Sequence, residues 1–272
     1  MAPTTTSTET EFAGRQGRIV VRRWAPADPA FIVLLAHGYG EHGGRYEHVA
    51  ARLVDAGAAV YAPDHAGHGR SEGEQALIHD VDDVVADLHT VATDARTDHP
   101  GRPLVVLGHS MGGLLATRFV QQHAEDVDAL VLSGPAIGAN PDIEGLLALD
   151  PIPDVPIDPA VLSRDPAVGR AYAEDPLVYH GPFKRATLEA MFAAAGAVAE
   201  GPAFGDSLPV LWVHGEDDAL VPIEGAREAM ERLRGARTEE KVYPGARHEI
   251  FNETNSDEVI ADVVAFVGRA LA

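Results

Sequence analysis

Cysteine is absent from the 272 residues. Disulfides, thiolate catalysis and cysteine-based metal sites are therefore excluded, while the redox compartment stays open. Lysine is almost absent: Lys184 and Lys241 are the only two, and every other basic residue is an arginine. Against 42 Asp and Glu stand 21 Lys and Arg, a formal net charge of −21. This argues against nucleic acid as a partner, which needs a basic face to displace counterions. It argues equally against electrostatic attraction to anionic lipid; its plain consequence is solubility. No run of about 18 apolar residues occurs, so no membrane-spanning helix is expected. The opening MAPTTTSTETE has neither the basic region nor the apolar stretch of a secretory signal. It reads as a short disordered leader on a cytoplasmic chain, leaving peripheral contact as the one mode of membrane association.

What is present is a globular composition, 46% apolar, enough for a large core. Short apolar runs bounded by Gly, Pro or Asp alternate with helix-like stretches. Arg18 to Trp24 alternates like an exposed strand. FIVLLA at Phe31 to Ala36 is continuous, as in a strand buried on both faces. Ala59 to Ala62, Leu104 to Leu107, Ala129 to Leu132 and Val210 to Val213 follow, and Val242 and Tyr243 close the last strand. Helical spacing marks Val81 to Arg96, Met111 to Gln122, Glu224 to Leu233 and Ser256 to Leu271. This alternation predicts an α/β fold with a mostly parallel sheet flanked by helices. Residues 135–204 break the rhythm. Rich in Pro and Ala, with no buried-strand signal, they predict an inserted, mainly helical cap. The sheet core is then 1–134 and 205–272, with the cap over the carboxyl strand ends, where such sheets bind ligands.

Gly-x-Ser-x-Gly occurs twice, around Ser71 and around Ser110. A nucleophile on this motif needs a sharp turn between a buried strand and a helix. The flanking glycines relieve crowding on a strained backbone. Ser110 follows LVVLG and precedes GGLLATRFV, so it has both elements. Ser71 lies between DHAGHG and EGEQALIHD and reads as a loop serine. A serine hydroxyl needs an imidazole to take its proton, and a carboxylate must hold that imidazole's tautomer. After Ser110 come His123, His180, His214 and His248. Only His248, in YPGARHEIFNE between the last strand and last helix, sits where a base reaches Ser110. VLWVHGEDDALVP offers both Asp217 and Asp218 as the acid, and spacing does not choose between them. The oxyanion needs two N–H donors. The residue after the nucleophile, Met111, supplies one; the glycine-rich turn His37-Gly38-Tyr39-Gly40 supplies Tyr39 as the other.

On these residues the chain resembles the monoglyceride lipases of the α/β-hydrolase superfamily, from about Thr10 to the C-terminus. The matching blocks are HGYGEHGGRYEHVA, APDHAGHGRSEG, VVLGHSMGG, LSRDPAVGRAYAEDPLVYHG, VLWVHGEDDALVP and YPGARHEIFNE. The resemblance implies hydrolysis of monoacylglycerol to glycerol and fatty acid through an acyl-enzyme, without a cofactor. It selects Asp218 to complete a triad with Ser110 and His248. It places the oxyanion N–H at Tyr39 and glycerol contacts at Glu41, Arg45 and Tyr172. Departures are Phe251, where a mammalian-type member has a histidine, the bulk of Tyr39, and the poorly matching stretch Asp142 to Pro159. A lysophospholipase or general carboxylesterase is the alternative. A binding protein that has lost turnover conflicts with the intact triad.

A monoacylglycerol has a long apolar tail, and each buried methylene contributes about 0.8 kcal/mol. Leu146, Leu147, Leu149, Leu188, Met191, Phe192 and Val198 are the expected tunnel lining. An apolar cap also allows transient contact with a membrane or micelle surface. Asp64-His65-x-x-His68 has metal-ligand residue types but sits in a turn block and reads as structural, so no metal is expected.

Overall fold

The computed structural model describes residues 7–154 and 156–272. Among these, eight strands form one sheet: β1 (Thr8–Gly14), β2 (Gly17–Trp24), β3 (Phe31–Ala36), β4 (Ala58–Pro63), β5 (Leu104–His109), β6 (Ala129–Ser133), β7 (Val210–Gly215) and β8 (Thr238–Tyr243). Their order is β1-β2-β4-β3-β5-β6-β7-β8. The pairs β1–β2 and β2–β4 are antiparallel and every other pair is parallel. Among the described residues, eight α-helices surround the sheet: α1 (Glu47–Asp55), α2 (Val81–Asp98), α3 (Met111–Gln122), α4 (Pro141–Leu146), α5 (Pro166–Glu174), α6 (Arg185–Glu200), α7 (Ile223–Leu233) and α8 (Ser256–Ala270).

The parallel strands read as continuous apolar runs because both faces are covered. Val33 and Leu35 of β3 point to one side, with Val105, Leu107, Val131 and Val213, and pack under α1 and α8. Ile32, Leu34 and Ala36 point to the other, with Val106, Leu132 and Trp212, and pack under α2, α3 and α7. A two-residue period with both faces apolar thus gives two cores from one sheet.

Two expectations change. The leader expected through Glu11 ends earlier, because Thr8 to Gly14 pair with β2 along its length; residues 1–6 lie outside the described residues. Arg18 to Trp24 is not an exposed strand: β1 covers its outer edge, and Ile19, Val20, Val21 and Trp24 are buried. Among the described residues, no helix is long and apolar enough to cross a membrane.

Residues 135–204 contain no strand among those described and carry α4, α5 and α6. Their inner side is not separate from the rest. Ala190, Ala194 and Val198 of α6 join the core beneath α2 and α3, while Leu162, Tyr172 and Val178 form a small cluster of their own.

Glycine is required where elements cross. A Cβ on Gly112 would sit 2.0 Å from the Ala36 carbonyl oxygen, and one on Gly108 would sit 2.1 Å from that of Gly112. Gly196, on the exposed side of α6, meets nothing within 4 Å. Gly112→Ala is therefore expected to lower stability by at least about 3 kcal/mol, as overpacking that no side chain can relieve. Gly196→Ala is expected to raise it by about 0.5–1 kcal/mol through helix propensity. Urea unfolding monitored by circular dichroism checks both, and the two changes must have opposite sign.

Candidate active site

Loops that leave the carboxyl ends of adjacent parallel strands meet at one place. β5 enters the elbow at Ser110, which opens α3 with φ 55° and ψ −119°. This is strained for a residue with a side chain, at a cost of about 1–3 kcal/mol. The turn is locked on both sides. The Ser110 N–H donates to Ser133 O at 2.9 Å, and Ser110 O accepts from Gly113, Leu114 and Ala136. Ser71, the other motif serine, is spent structurally: its hydroxyl donates to Asp64 O at 2.6 Å and accepts from the Val20 amide.

The loop after β7 carries both candidate acids. Asp217 is exposed and Asp218 is buried. Asp218 Oδ2 accepts from His248 Nδ1 at 2.7 Å, and Oδ1 accepts the amides of Leu220 and Val221 at 2.9 Å. On its far side is His214, whose Nδ1 accepts from Trp212 Nε1 at 3.1 Å. His214 therefore carries its proton on Nε2, which donates to Val221 O and lies 3.4 Å from Asp218 Oδ2. Burial alone would raise the Asp218 carboxyl; the His248 and His214 imidazoles outweigh it and hold Asp218 well below the usual carboxylate range. Gly134, with φ 48°, lets the chain pass against this pair: a Cβ there would lie 3.3 Å from Asp218 Oδ2.

His248, in the loop after β8, is buried and gives its Nδ1 to Asp218, which leaves Nε2 for the cavity that Ser110 also lines. Burial alone would lower the imidazole. The charge and hydrogen bond of Asp218, then Glu249 and Glu41, outweigh it, so His248 is held above its ordinary value. His109, immediately before Ser110, lies 4.7 Å from His248, ring to ring. Burial and the His248 charge drive it down to about 3, so it stays neutral beside His248.

The turn after β3, expected to offer the Tyr39 amide, is held by its own side chains. The His65 amide donates to His37 Nε2 at 3.0 Å, so His37 bears its proton on Nδ1 and donates it to Gly38 O at 2.8 Å. The Gly38 amide donates to Glu41 Oε1 at 2.6 Å. With Gly38 O drawn toward His37, the planar trans peptide turns the Tyr39 N–H the opposite way. The Met111 N–H, first in α3, has no partner within its helix. The sequence marks His37 only as part of the turn, whereas the two partners of its ring make it the brace of the Gly38 peptide. His65 and His68 also turn their Nδ1 or Nε2 atoms onto backbone carbonyls, as expected of turn histidines.

Glu41, Arg45 and Tyr172 come together at the polar end of the cavity. Arg45 Nη1 donates to Glu41 Oε2 at 2.8 Å, and the guanidinium lies 5.2 Å from the Tyr172 ring centroid. A fourth member, Glu249, escaped sequence reasoning. It takes Arg45 bidentately at 2.7 and 2.8 Å and is buried. Its only sequence signal is its place directly after the base. Burial would raise the Glu249 carboxyl, but Arg45 outweighs it and keeps it below the ordinary value.

The cavity encloses about 1000 Å³ including its mouth. Of the expected tunnel residues it brings in Leu188, Met191 and Phe192. Leu146, Leu147, Leu149 and Val198 do not line it. α4 spans only six residues and turns Ile143 inward instead, while Val198 is buried in the main core. Leu162, Leu220 and Val221 complete the apolar wall.

Residues 27–255 match the model of the family described as serine aminopeptidase, S33. A monoacylglycerol lipase of Mycolicibacterium smegmatis is 40% identical, over 96% of this chain and 97% of that protein. The human monoglyceride lipase is 32% identical, over 85% of this chain and 80% of its own length. The crystal structure of the Paleococcus ferrophilus monoacylglycerol lipase matches with a TM-score of 0.79 at 27% identity, covering 93% of this chain and 99% of that one. The family match runs from the turn before β3 into the loop before α8, so this chain belongs to the serine aminopeptidase S33 family, whose α/β-hydrolase fold the sheet order and the elbow at Ser110 already describe.

Proposed function

We propose that the protein is a serine hydrolase that cleaves monoacylglycerols to glycerol and a fatty acid through an acyl-enzyme on Ser110. The single observation that carries this reading is the Asp218–His248 pair opening beside Ser110 into a cavity with one long apolar wall and one small polar end. Its names come from relatives: proteins called monoacylglycerol or monoglyceride lipase, 40% and 32% identical, are similar over most of this chain. His248 Nε2 takes the Ser110 proton as the oxygen attacks the ester carbonyl. Asp218 keeps Nδ1 protonated and stabilises the imidazolium that results. The amides of Tyr39 and Met111 receive the negative oxygen of the tetrahedral intermediate. The proton on His248 then passes to the departing glycerol oxygen. Water repeats the sequence to release the acid. The division into a core of 1–134 and 205–272 and a cap of 135–204 belongs to the same reading: the cap closes the acyl wall with α6. Leu149, the one exposed large apolar residue among the described residues, belongs to the face that touches a micelle or membrane.

Charge at the polar end separates a glyceride from a lysophospholipid. Two carboxylates, Glu41 and Glu249, face one guanidinium, Arg45. Hydroxyl groups donate readily to such a site, whereas a phosphodiester adds a third anion. Monoolein is therefore expected to be hydrolysed far faster than lysophosphatidylglycerol, whose headgroup carries the anion with no compensating cation, measured as fatty-acid release; faster turnover of the lysophospholipid rejects the substrate. Asp218→Asn is expected to lower kcat by about 10⁴-fold, with Asp217→Asn within about twofold of the wild type; the opposite ranking moves the acid. Because the base works deprotonated and His248 is held above its ordinary value, kcat/KM must rise with pH through a midpoint above about 6.5. A pH–rate profile with that midpoint clearly below 6 contradicts the environment described for the imidazole.

A further inference from the structure

The base and the oxyanion amide belong to loops far apart in sequence, and one buried chain of charges joins them. Starting at the base, Glu249 follows His248 directly. Its Oε1 and Oε2 accept from Arg45 Nη1 and Nη2, and Oε2 also accepts from Asn252 Nδ2 at 2.8 Å. Its backbone N–H donates to Leu162 O at 2.8 Å, so both ends of the residue are fixed. Arg45 passes its Nη1 on to Glu41 Oε2 at 2.8 Å. Glu41 Oε1 then accepts from Tyr46 Oη at 2.7 Å and from the Gly38 N–H at 2.6 Å. That N–H lies one peptide ahead of the Tyr39 N–H, so Glu41 anchors the turn directly before the amide whose own peptide His37 holds through Gly38 O. Side chains of Glu41, Arg45 and Glu249 are all 10% exposed or less.

We infer that Glu249 is a positioning residue for catalysis, tying the loop that presents His248 to the loop that presents the Tyr39 amide through Arg45 and Glu41. The assignment rests on the serine-hydrolase reading above and adds a residue to it. Structure alone would be served by an apolar cluster here, because burying ion pairs seldom adds net stability. What the network supplies is distance control between two groups that must act on the same carbonyl carbon, where a misplacement of about 1 Å costs on the order of 10²-fold. It also leaves a net negative charge near His248. The groups facing that imidazole are Asp218 from the loop after β7, Glu41 and Arg45 from the segment after β3, His109 from the end of β5, and Glu249 itself.

Two variants separate geometry from charge. Glu249→Gln keeps the length and removes the charge; Glu249→Asp keeps the charge and shortens the reach by one methylene. Each is assayed on p-nitrophenyl butyrate, with rates normalised to active sites titrated by a fluorophosphonate. Both are expected to lose 10- to 100-fold in kcat with KM within about threefold of the wild type. Glu249→Gln should also move the acidic limb of kcat/KM to lower pH, and Glu249→Asp should not. A merely structural role predicts fewer titratable sites, each with wild-type kcat and an unmoved limb; that result, or a change confined to KM, overturns the inference. If Glu249→Gln yields no titratable sites, Glu249→Asp decides alone: a kcat within twofold of the wild type overturns it. Wild-type protein that cleaves the p-nitrophenyl ester but not monoolein refutes the glyceride substrate and leaves this inference standing. Wild-type protein that cleaves neither refutes the hydrolase reading on which it rests.

Discussion

The hydrogen bond from His248 Nδ1 to Asp218 Oδ2, 2.7 Å long and shut away from water, is the interaction on which the site depends. It makes an imidazole that burial alone would leave weakly basic into one that accepts a proton. It works only because Asp218 is itself over-determined. Two backbone amides hold Oδ1, and the His214 N–H approaches Oδ2 from behind. A carboxylate with this many donors has one stable place to be, and the tautomer of His248 follows from it.

The same logic extends outward. Hydrogen-bonded side chains fix the peptide before the Tyr39 amide, the elbow carbonyl accepts three amides, and the segments above are pinned to the core at several points. Tyr179 N–H donates to Gly40 O at 2.7 Å, His42 Nε2 meets Asp175 Oδ2 at 2.9 Å, and Tyr39 stacks on Phe183 with ring centroids 5.1 Å apart. The bulk of Tyr39, a departure from the resembling family, thus serves as a contact between the turn after β3 and the residues covering it. Such buried polar networks are costly when half satisfied; here the partners are present.

Much of this was legible in the residues. Strands buried on both faces announce themselves as unbroken apolar runs, and helices α2, α3, α7 and α8 by their spacing, so the α/β architecture and the elbow were readable. β1 was not, because TETEFAG buries little on either face and looks like a solvated tail. α1 was hidden behind the glycine-rich turn that precedes it, with only Val49, Ala50, Leu53 and Val54 facing inward over nine residues. Asp217 and Asp218 were indistinguishable by spacing, since the turn that buries one and exposes its neighbour is a tertiary feature. Glu249 carried no pattern at all. A charged residue in a loop reads as solvated until the arginine that meets it, 204 positions away, is seen beside it. The apolar lining was half visible. α6 contributes as expected, whereas Leu220 and Val221 line the wall from a loop that composition marks only as the segment after the acid.

The uneven charge at the polar end of the cavity has a bearing on how a turnover finishes. An ester and an alcohol are neutral, so the excess of Glu41 and Glu249 over Arg45 is indifferent to their net charge. The acid released by hydrolysis ionises at neutral pH, and it does so facing carboxylates in a setting of low dielectric. On the proposed reaction, the product is thus the one species that the pocket repels, which favours its departure and disfavours resynthesis of the ester.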